Sequence, residues 1–579
     1  MAKKFRGLRP DRGLFPLSEL AGRSASDFGD KTVMRAWDGS GWREVSYEAF
    51  AEQVHRIARW LIDQGLERGD RVALLSENRP EWGAVYLGVQ TAGGVIVPVD
   101  RMMPAAGVRH VLSDSGARLL FASRRSLESI EELEPIATLE RTICLDEETP
   151  EGSMPLAGVL AAGAESAAKP PERSLEENAA ILYTSGTTGH SKGVVLTQRN
   201  IMSDVAACSR VLDLGPEDTY LSVLPLHHTY ECTAGFLLPV YLGCAITYSR
   251  GLASAELLAD MRETNVTLMI CVPLFFEKMR QGILRKARQQ GKERLIRAML
   301  GVVAAGEVFG LNLGKSLFRG LRERAGMGTV RYFITGGGPV DPEISHFFAR
   351  LGITMLQGFG LTETSPVTHM TPPWRVRHGT VGRLLPGMEH KLVDVNEEGI
   401  GEVCIRGPNV FKEYYRNEKA TREAKDEEGW LHTGDLGVIL PDGNLRIAGR
   451  KKNVIVTGGG KNVYPEEVEH FLNRSRFIAE SLVHGIPRDS GYGEEVAALI
   501  YPDYEQLDLH FEEVGVKPTG DDVQTLIKSE IHDAQRDLEE FKHVRRFRLV
   551  EEEFQKTTTR KIKRFLYEGE MTAVNGARV

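Results

Sequence analysis

Residues 181–200, ILYTSGTTGHSKGVVLTQRN, decide how the rest of this chain is read. Apolar Ala179, Ala180, Ile181 and Leu182 lead into a run of Thr, Ser and Gly, and Lys192 closes it before a second apolar segment, residues 194–196. Gly186, Gly189 and Gly193 permit tight turns with exposed amides, while Thr184, Ser185, Thr187, Thr188 and Ser191 add hydroxyl donors. Amides, hydroxyls and one mobile ammonium are what a polyphosphate needs. The spacing is not that of a P-loop, in which Gly directly precedes the Lys and Ser or Thr follows it; here Ser191 precedes and Gly193 follows. An unliganded surface loop would share the composition, but not the order of donors around a lone lysine between two strand-like segments.

At 579 residues the chain exceeds one comfortable core, so at least two domains are expected. Hydrophobic and charged fractions of 42% and 26% are those of a soluble globular protein, and a net charge of −8 gives no reason to expect a nucleic-acid partner. Six scattered cysteines without a CxxC pair read as free thiols in a reducing compartment. The basic N-terminus lacks the apolar core of a signal peptide, and no stretch suits a bilayer span, so a cytoplasmic location is expected.

Before the phosphate-binding stretch, Phe50, Val54, Ile57, Ala58 and Leu61 recur at helical spacing, with Gly65 as the C-terminal cap. A strand at 72–75, a helix starting at Pro80 and a strand at 94–99 follow, which predicts an α/β sheet flanked by helices. Residues 151–173, rich in Ala, Gly, Pro and Glu, read as a surface connection. After the stretch, His227 and His228 sit just past an apolar strand, where ligand crevices of α/β folds open, or they begin a helix. Phe275 and Phe276 either line an apolar tunnel or belong to the core. Residues 278–324 read as basic amphipathic helices that rest on an anionic membrane face or are merely solvated.

YFITGGGPV at 332–340 is a strand running into glycines, which let the backbone approach a flat ring. LQGFGLTETSP at 356–366 has Gly358 and Gly360 but no third glycine, so a dinucleotide fingerprint is not supported. Glu363 is either a Mg²⁺ ligand beside a triphosphate or a helix-start carboxylate. From Val381 short strands alternate with turns, a β-rich subdomain in which Asp435 is either a ribose acceptor or a turn aspartate. The remainder reads as a small α/β domain.

Taken in order, YTSGTTGHSKG, GGG, QGFGLTE, TGD at 433–435, GRKK at 449–452 and FQKTTTRKIKRF at 554–565 resemble the signatures of the adenylate-forming enzymes. That superfamily comprises acyl-CoA synthetases, luciferases and peptide-synthetase adenylation domains. The resemblance implies a large N-terminal adenylation domain at 1–449, with its β-rich subdomain at about 375–449, and a small mobile C-terminal lid at 450–579 hinged at Lys452. It implies phosphate contacts from Thr184, Ser185, Gly186, Thr187, Thr188, Gly189, Lys192 and Thr362. Adenine would lie against Gly337 and Gly338, ribose against Asp435 and Arg450, and Gln357, Gly358, Phe359 and Gly360 would also contact the nucleotide. Mg²⁺ falls to Glu363 and Thr184, the acyl carboxylate to His228, and catalysis of adenylation to Lys561, although Gln555 and Arg560 replace the usual proline and glycine of the lysine loop.

LPLHHTYE, VPLFFEK, the basic insertion and GLNLGKSLFRGLRE are similar to bacterial long-chain enzymes. The resemblance therefore implies ATP-dependent activation of a medium- or long-chain fatty acid through an acyl-adenylate, then transfer to coenzyme A. An acyl-carrier-protein synthetase, an aryl-CoA ligase and a non-catalytic nucleotide-binding regulator remain as alternatives. Peripheral contact with the inner membrane face accompanies the fatty acid reading.

Overall fold

The computed structural model describes residues 12–184, 191–338, 340–488, 492–557, 561–567, 569–570 and 577–579. The chain divides into two compact units. One comprises Met1–His390, Ile405–Leu431 and Asp442–Asn444; the other comprises Lys391–Cys404, His432–Pro441 and Leu445–Val579.

The first unit is built on two mixed sheets of eight and nine strands among the described residues. In the smaller sheet, Val95–Pro98, Arg71–Leu75, Leu119–Ala122 and Arg141–Cys144 run parallel. Most of their residues are apolar and buried, because a parallel strand covered on both faces has no solvent side to alternate with. Next to Val95–Pro98 the sheet continues into the antiparallel pair Asn178–Thr184 and Lys192–Thr197, with Glu413–Tyr414 at its edge. The two apolar segments of the 181–200 stretch thus pair antiparallel on either side of residues 185–190. In the larger sheet, Thr354–Gly360, Tyr332–Thr335, Leu268–Cys271, Thr219–Ser222 and Ala245–Tyr248 form the parallel centre.

Helix Tyr47–Asp63 follows the expected apolar face, and Ser46 caps it by accepting from the Ala49 amide. Pro80 opens the helix Pro80–Ala92, whose residues are nearly all buried. The basic segment forms helices Pro273–Gln289, Glu293–Val308, Gly314–Leu317 and Arg319–Arg324. All six cysteines are buried, and none forms a disulfide.

One expectation fails here. Residues 151–173 contain the helix Leu156–Glu165, which buries Leu156, Val159 and Gly163 on one face. A Cβ at Gly163 would stand 2.0 Å from the Arg56 carbonyl oxygen, so the small residues serve a close crossing over helix Tyr47–Asp63. Composition alone cannot separate that use of Ala and Gly from a loop.

In the second unit, strands Ile478–Pro487 and Glu494–Pro502 pair antiparallel, and Arg546–Leu549 joins them in parallel. Val468, Leu472, Ile527, Ile531 and Phe547 belong to its core, contributed by the helices Pro465–Leu472 and Gly520–Ala534 and that third strand. A further sheet holds Leu431–Ile439 against Leu445–Arg450. Asp435 therefore lies within a strand, not in a turn. Among the described residues no helix is long and apolar enough to cross a membrane.

Candidate functional site

The antiparallel pair brings Thr184 and Lys192 directly opposite each other, both half-buried. Ser185, Gly186, Thr187, Thr188 and Gly189 lie outside the described residues. On the other side of strand Lys192–Thr197, Tyr414 pairs with Val194. That register sets the Tyr414 ring centroid 5.4 Å from Lys192 Nζ, and the Tyr414 hydroxyl donates to Glu363 Oε1 at 2.7 Å. Burial, and then the Glu363 charge, hold the phenol well above its usual pKa, so it stays a neutral donor. The Glu363 main-chain carbonyl accepts from the Phe411 amide at 2.8 Å. Glu363 sits in the short turn Thr362–Thr364 that follows strand Thr354–Gly360, and Thr229 Oγ1 donates to Thr362 Oγ1 at 3.5 Å. Lys192, the acidic turn and the histidine loop are thereby brought to one place within the first unit. Tyr414 had no signal in the sequence, because its partners come from strands more than 200 residues upstream and a turn about 50 residues upstream.

His228 is half-buried in a turn closed by its amide on the Pro225 carbonyl at 3.1 Å, with its ring 4.3 Å from that of His227. His227 is buried, with Nε2 3.4 Å from Asp100 Oδ1, and burial together with the Arg101 charge pushes its pKa down to about 3. Its imidazole is neutral at any working pH. Beneath this turn runs a buried polar chain. The Leu226 amide donates to Asn78 Oδ1 at 2.9 Å, Asn78 Nδ2 donates to Ser222 Oγ at 3.0 Å, and Ser222 Oγ donates to Glu231 Oε1 at 2.6 Å. Glu231 opens the π-helix Glu231–Leu237, and burial raises its pKa to about 8 against the opposing Ser222 hydrogen bond. Its Oε2 is buried with no partner among the described residues.

Gly337 has φ 81° in the glycine turn, beside Gly338. Gln357, Gly358, Phe359 and Gly360 complete the neighbouring strand. A Cβ at Gly360 would stand 1.7 Å from the Pro366 carbonyl oxygen, so no other residue fits there. Gln357 lines a small cavity with Val340, Met355, His378 and Thr380. Phe276 is fully buried in an aromatic cluster, its ring 4.9 Å from Phe333 and 6.1 Å from Phe348, whereas Phe275 is half-buried. Phe276 packs as core.

In the second unit Asp435 and Arg450 are cross-strand neighbours, with Arg450 Nε 2.9 Å from Asp435 Oδ1 and Arg450 Nη1 donating to the Thr433 carbonyl at 3.0 Å. Lys452 is exposed in the turn Lys451–Asn453 that leaves this strand. Lys561 is held by its backbone: its carbonyl accepts from the Thr557 amide at 2.8 Å, and its amide donates to Thr557 Oγ1 at 3.2 Å. The residue is exposed at the surface, yet desolvation of the ammonium and the Arg450 charge lower its pKa, with Asp435 acting in the opposite sense. Arg564 anchors the loop, pairing with half-buried Glu469 and donating to the Val483 carbonyl at 2.8 Å. Arg560 lies outside the described residues.

The profile of the AMP-binding enzyme family matches residues 22–415. Long chain acyl-CoA synthetase 7, peroxisomal, of Arabidopsis thaliana is 31% identical over 548 residues, covering 88% of this chain and 77% of that protein. Long-chain-fatty-acid–CoA ligase FadD15 of Mycobacterium bovis is 31% identical over 559 residues, 90% of each chain. Among solved structures, anthranilate CoA ligase AuaEII in complex with anthranoyl-AMP superposes with a TM-score of 0.77 at 20% identity, over 97% of this chain and 98% of that one. At that identity the likeness is one of fold, and it extends over both units.

Proposed function

The chain belongs to the AMP-binding enzyme family, and on that footing we propose that Lys192, Glu363 and Lys561 share the handling of a polyphosphate during acyl-adenylate formation. The enzyme is an AMP-forming acid–thiol ligase that activates a fatty acid to its acyl-CoA, using ATP and coenzyme A. A carboxylate is a poor electrophile until one of its oxygens becomes part of a good leaving group. In the first step a carboxylate oxygen bonds to the α-phosphorus and pyrophosphate departs. In the second the thiol sulfur bonds to the acyl carbon, the thiol proton is lost and AMP departs.

Such transfer asks for positioning and charge neutralisation. The observation that carries the proposal is the Tyr414 phenol, which donates to Glu363 at 2.7 Å while its ring lies 5.4 Å from Lys192 Nζ. It fixes a carboxylate and an ammonium beside a stretch rich in donors. Glu363 and Thr184 offer the hard oxygens of which Mg²⁺ takes one or two beside phosphate oxygens, and the bound ion would neutralise phosphate charge. Lys192 holds the outgoing pyrophosphate. Asp435 and Arg450 hold the ribose, Gly337 and Gly338 the adenine, and residues 357–360 contact the nucleotide beside them. His228 faces the acyl carboxylate, and Lys561 bridges carboxylate and α-phosphate oxygens.

The domain boundary at 449/450 and the hinge at Lys452 let the lysine loop leave once the adenylate has formed, so that residues 457–463 line the thiol's approach. The substrate is a medium- or long-chain acid with Phe275 toward its tunnel, and the enzyme acts in the cytoplasm with peripheral contact to the inner membrane face. Lys561→Ala tests the division of labour. Adenylate formation is lost while thioesterification of a supplied acyl-adenylate persists; equal loss of both steps contradicts it.

A further inference from the structure

Helix Glu293–Val308 carries apolar residues on two faces. Ile296, Val303 and Gly306 are buried against neighbouring helices. On the adjoining face Leu295, Ala298, Val302, Ala305 and Phe309 follow one another at alternating steps of three and four residues, so they form a single stripe. The stripe is exposed: Leu295 by 58%, Val302 by 54% and Phe309 by 80%, with Val308 at 82% and Leu311 at 53% at its far end. A solvated helix face carries charged residues, and nothing in the packing of the described residues calls for large apolar groups there.

The surroundings of the stripe are basic. Residues 278–324 contain twelve Lys and Arg against three Glu, within a chain whose net charge is −8. Glu293, Glu307 and Glu323 are each paired with arginine, leaving the excess of positive charge in place. Lys286, Lys292, Arg294 and Lys315 are exposed around the helix. An apolar stripe ending in a protruding Val-Phe-Gly-Leu tip and ringed by ammonium and guanidinium groups matches the two layers of an anionic bilayer surface, phosphate outside and hydrocarbon beneath. A second copy of this chain would bring one positive surface against another.

We infer that this face, centred on Leu295, Val302, Val308, Phe309 and Leu311, is the surface by which the protein docks in the plane of an anionic lipid bilayer. The inference rests on the peripheral-membrane reading for its ligand class and adds to it the surface that makes the contact. Its consequence is that the fatty acid, which partitions into the same bilayer, is met at the membrane.

The test is sedimentation of the full chain with vesicles of phosphatidylcholine alone and of phosphatidylcholine with phosphatidylglycerol. The wild type co-sediments with the anionic vesicles and is released by salt, as attraction between surface charges is screened. Val302→Asp with Phe309→Asp lowers partitioning by roughly tenfold or more, and Leu311→Asp alone lowers it in the same direction. Ligase activity on a short, water-soluble acid is unchanged in both variants, which shows that they fold. Wild-type binding that both variants retain overturns the assignment of this face and leaves peripheral contact standing. Absence of wild-type binding overturns both. A wild-type dimer that the variants convert to monomer, with no response to lipid, assigns the face to a second copy and overturns the inference, as does capture of an acidic carrier protein through this face without vesicle binding.

Discussion

Replacing Glu231 with Gln isolates the cost of a buried carboxyl. In the folded protein burial raises the Glu231 pKa to about 8, against about 4.3 in an unfolded chain. A carboxyl whose folded pKa is raised binds its proton more tightly in the native state. Its stabilising contribution is full below the unfolded pKa and is lost as pH rises through the folded one. Wild-type stability should therefore fall by about 1.4 kcal/mol per pH unit between roughly pH 4.3 and pH 8, about 5 kcal/mol in all. Glutamine has no proton to lose. Whatever constant penalty or gain the amide brings beside Ser222, the difference between variant and wild type should grow with pH in the variant's favour and level off above roughly pH 8. Unfolding the unit that carries Glu231, roughly 420 residues, releases an entropy of about 0.9 kcal/mol/K. The melting temperature of the variant relative to wild type should climb by about 1.5 °C per pH unit over that window. Differential melting at a series of pH values reads this directly. A difference that is flat with pH, or one that declines, refutes the protonated, buried Glu231.

Tyr414→Phe keeps the ring near Lys192 and removes the donor to Glu363, so the Mg²⁺ concentration needed for half-maximal pyrophosphate release should rise about tenfold with no change in melting temperature; an unchanged Mg²⁺ dependence would detach Tyr414 from the metal site. Gly163→Ala forces a methyl against the Arg56 carbonyl and should cost about 1–3 kcal/mol of stability, read as a lower melting temperature with activity intact at low temperature; a variant as stable as wild type would mean that helix Leu156–Glu165 does not pack as closely as described.

Much of the fold was legible because its signals are local. The amphipathic face from Phe50 to Leu61, the Pro80 helix start and the glycine-bounded strands of the parallel sheets depend on neighbours a few residues apart, and each reappears in the structure. The helix Leu156–Glu165 was missed because its Ala and Gly serve contact with another helix, information its own residues do not carry. Asp435 reads as a ribose acceptor or a turn aspartate, and its pairing with Arg450 puts it in a strand. The donor-rich stretch at 181–200, the glycine turn and the acidic turn announce themselves by the order of their residues. Tyr414, Asn78 and Arg564 do not, because their roles arise from hydrogen bonds to residues 51, 144 to 148 and 81 to 95 positions away. Phe276 shows the reverse case: its motif reads equally as tunnel or core, and only the rings of Phe333 and Phe348 around it decide where it packs.

The central claim is tested most directly by pyrophosphate release from ATP across a panel of acids, from acetate through palmitate with benzoate and amino acids, each with and without coenzyme A. Release that depends on coenzyme A and peaks at a long-chain fatty acid is the predicted result. Release confined to aryl acids, release that requires a carrier protein in place of coenzyme A, or no release with any acid would contradict it.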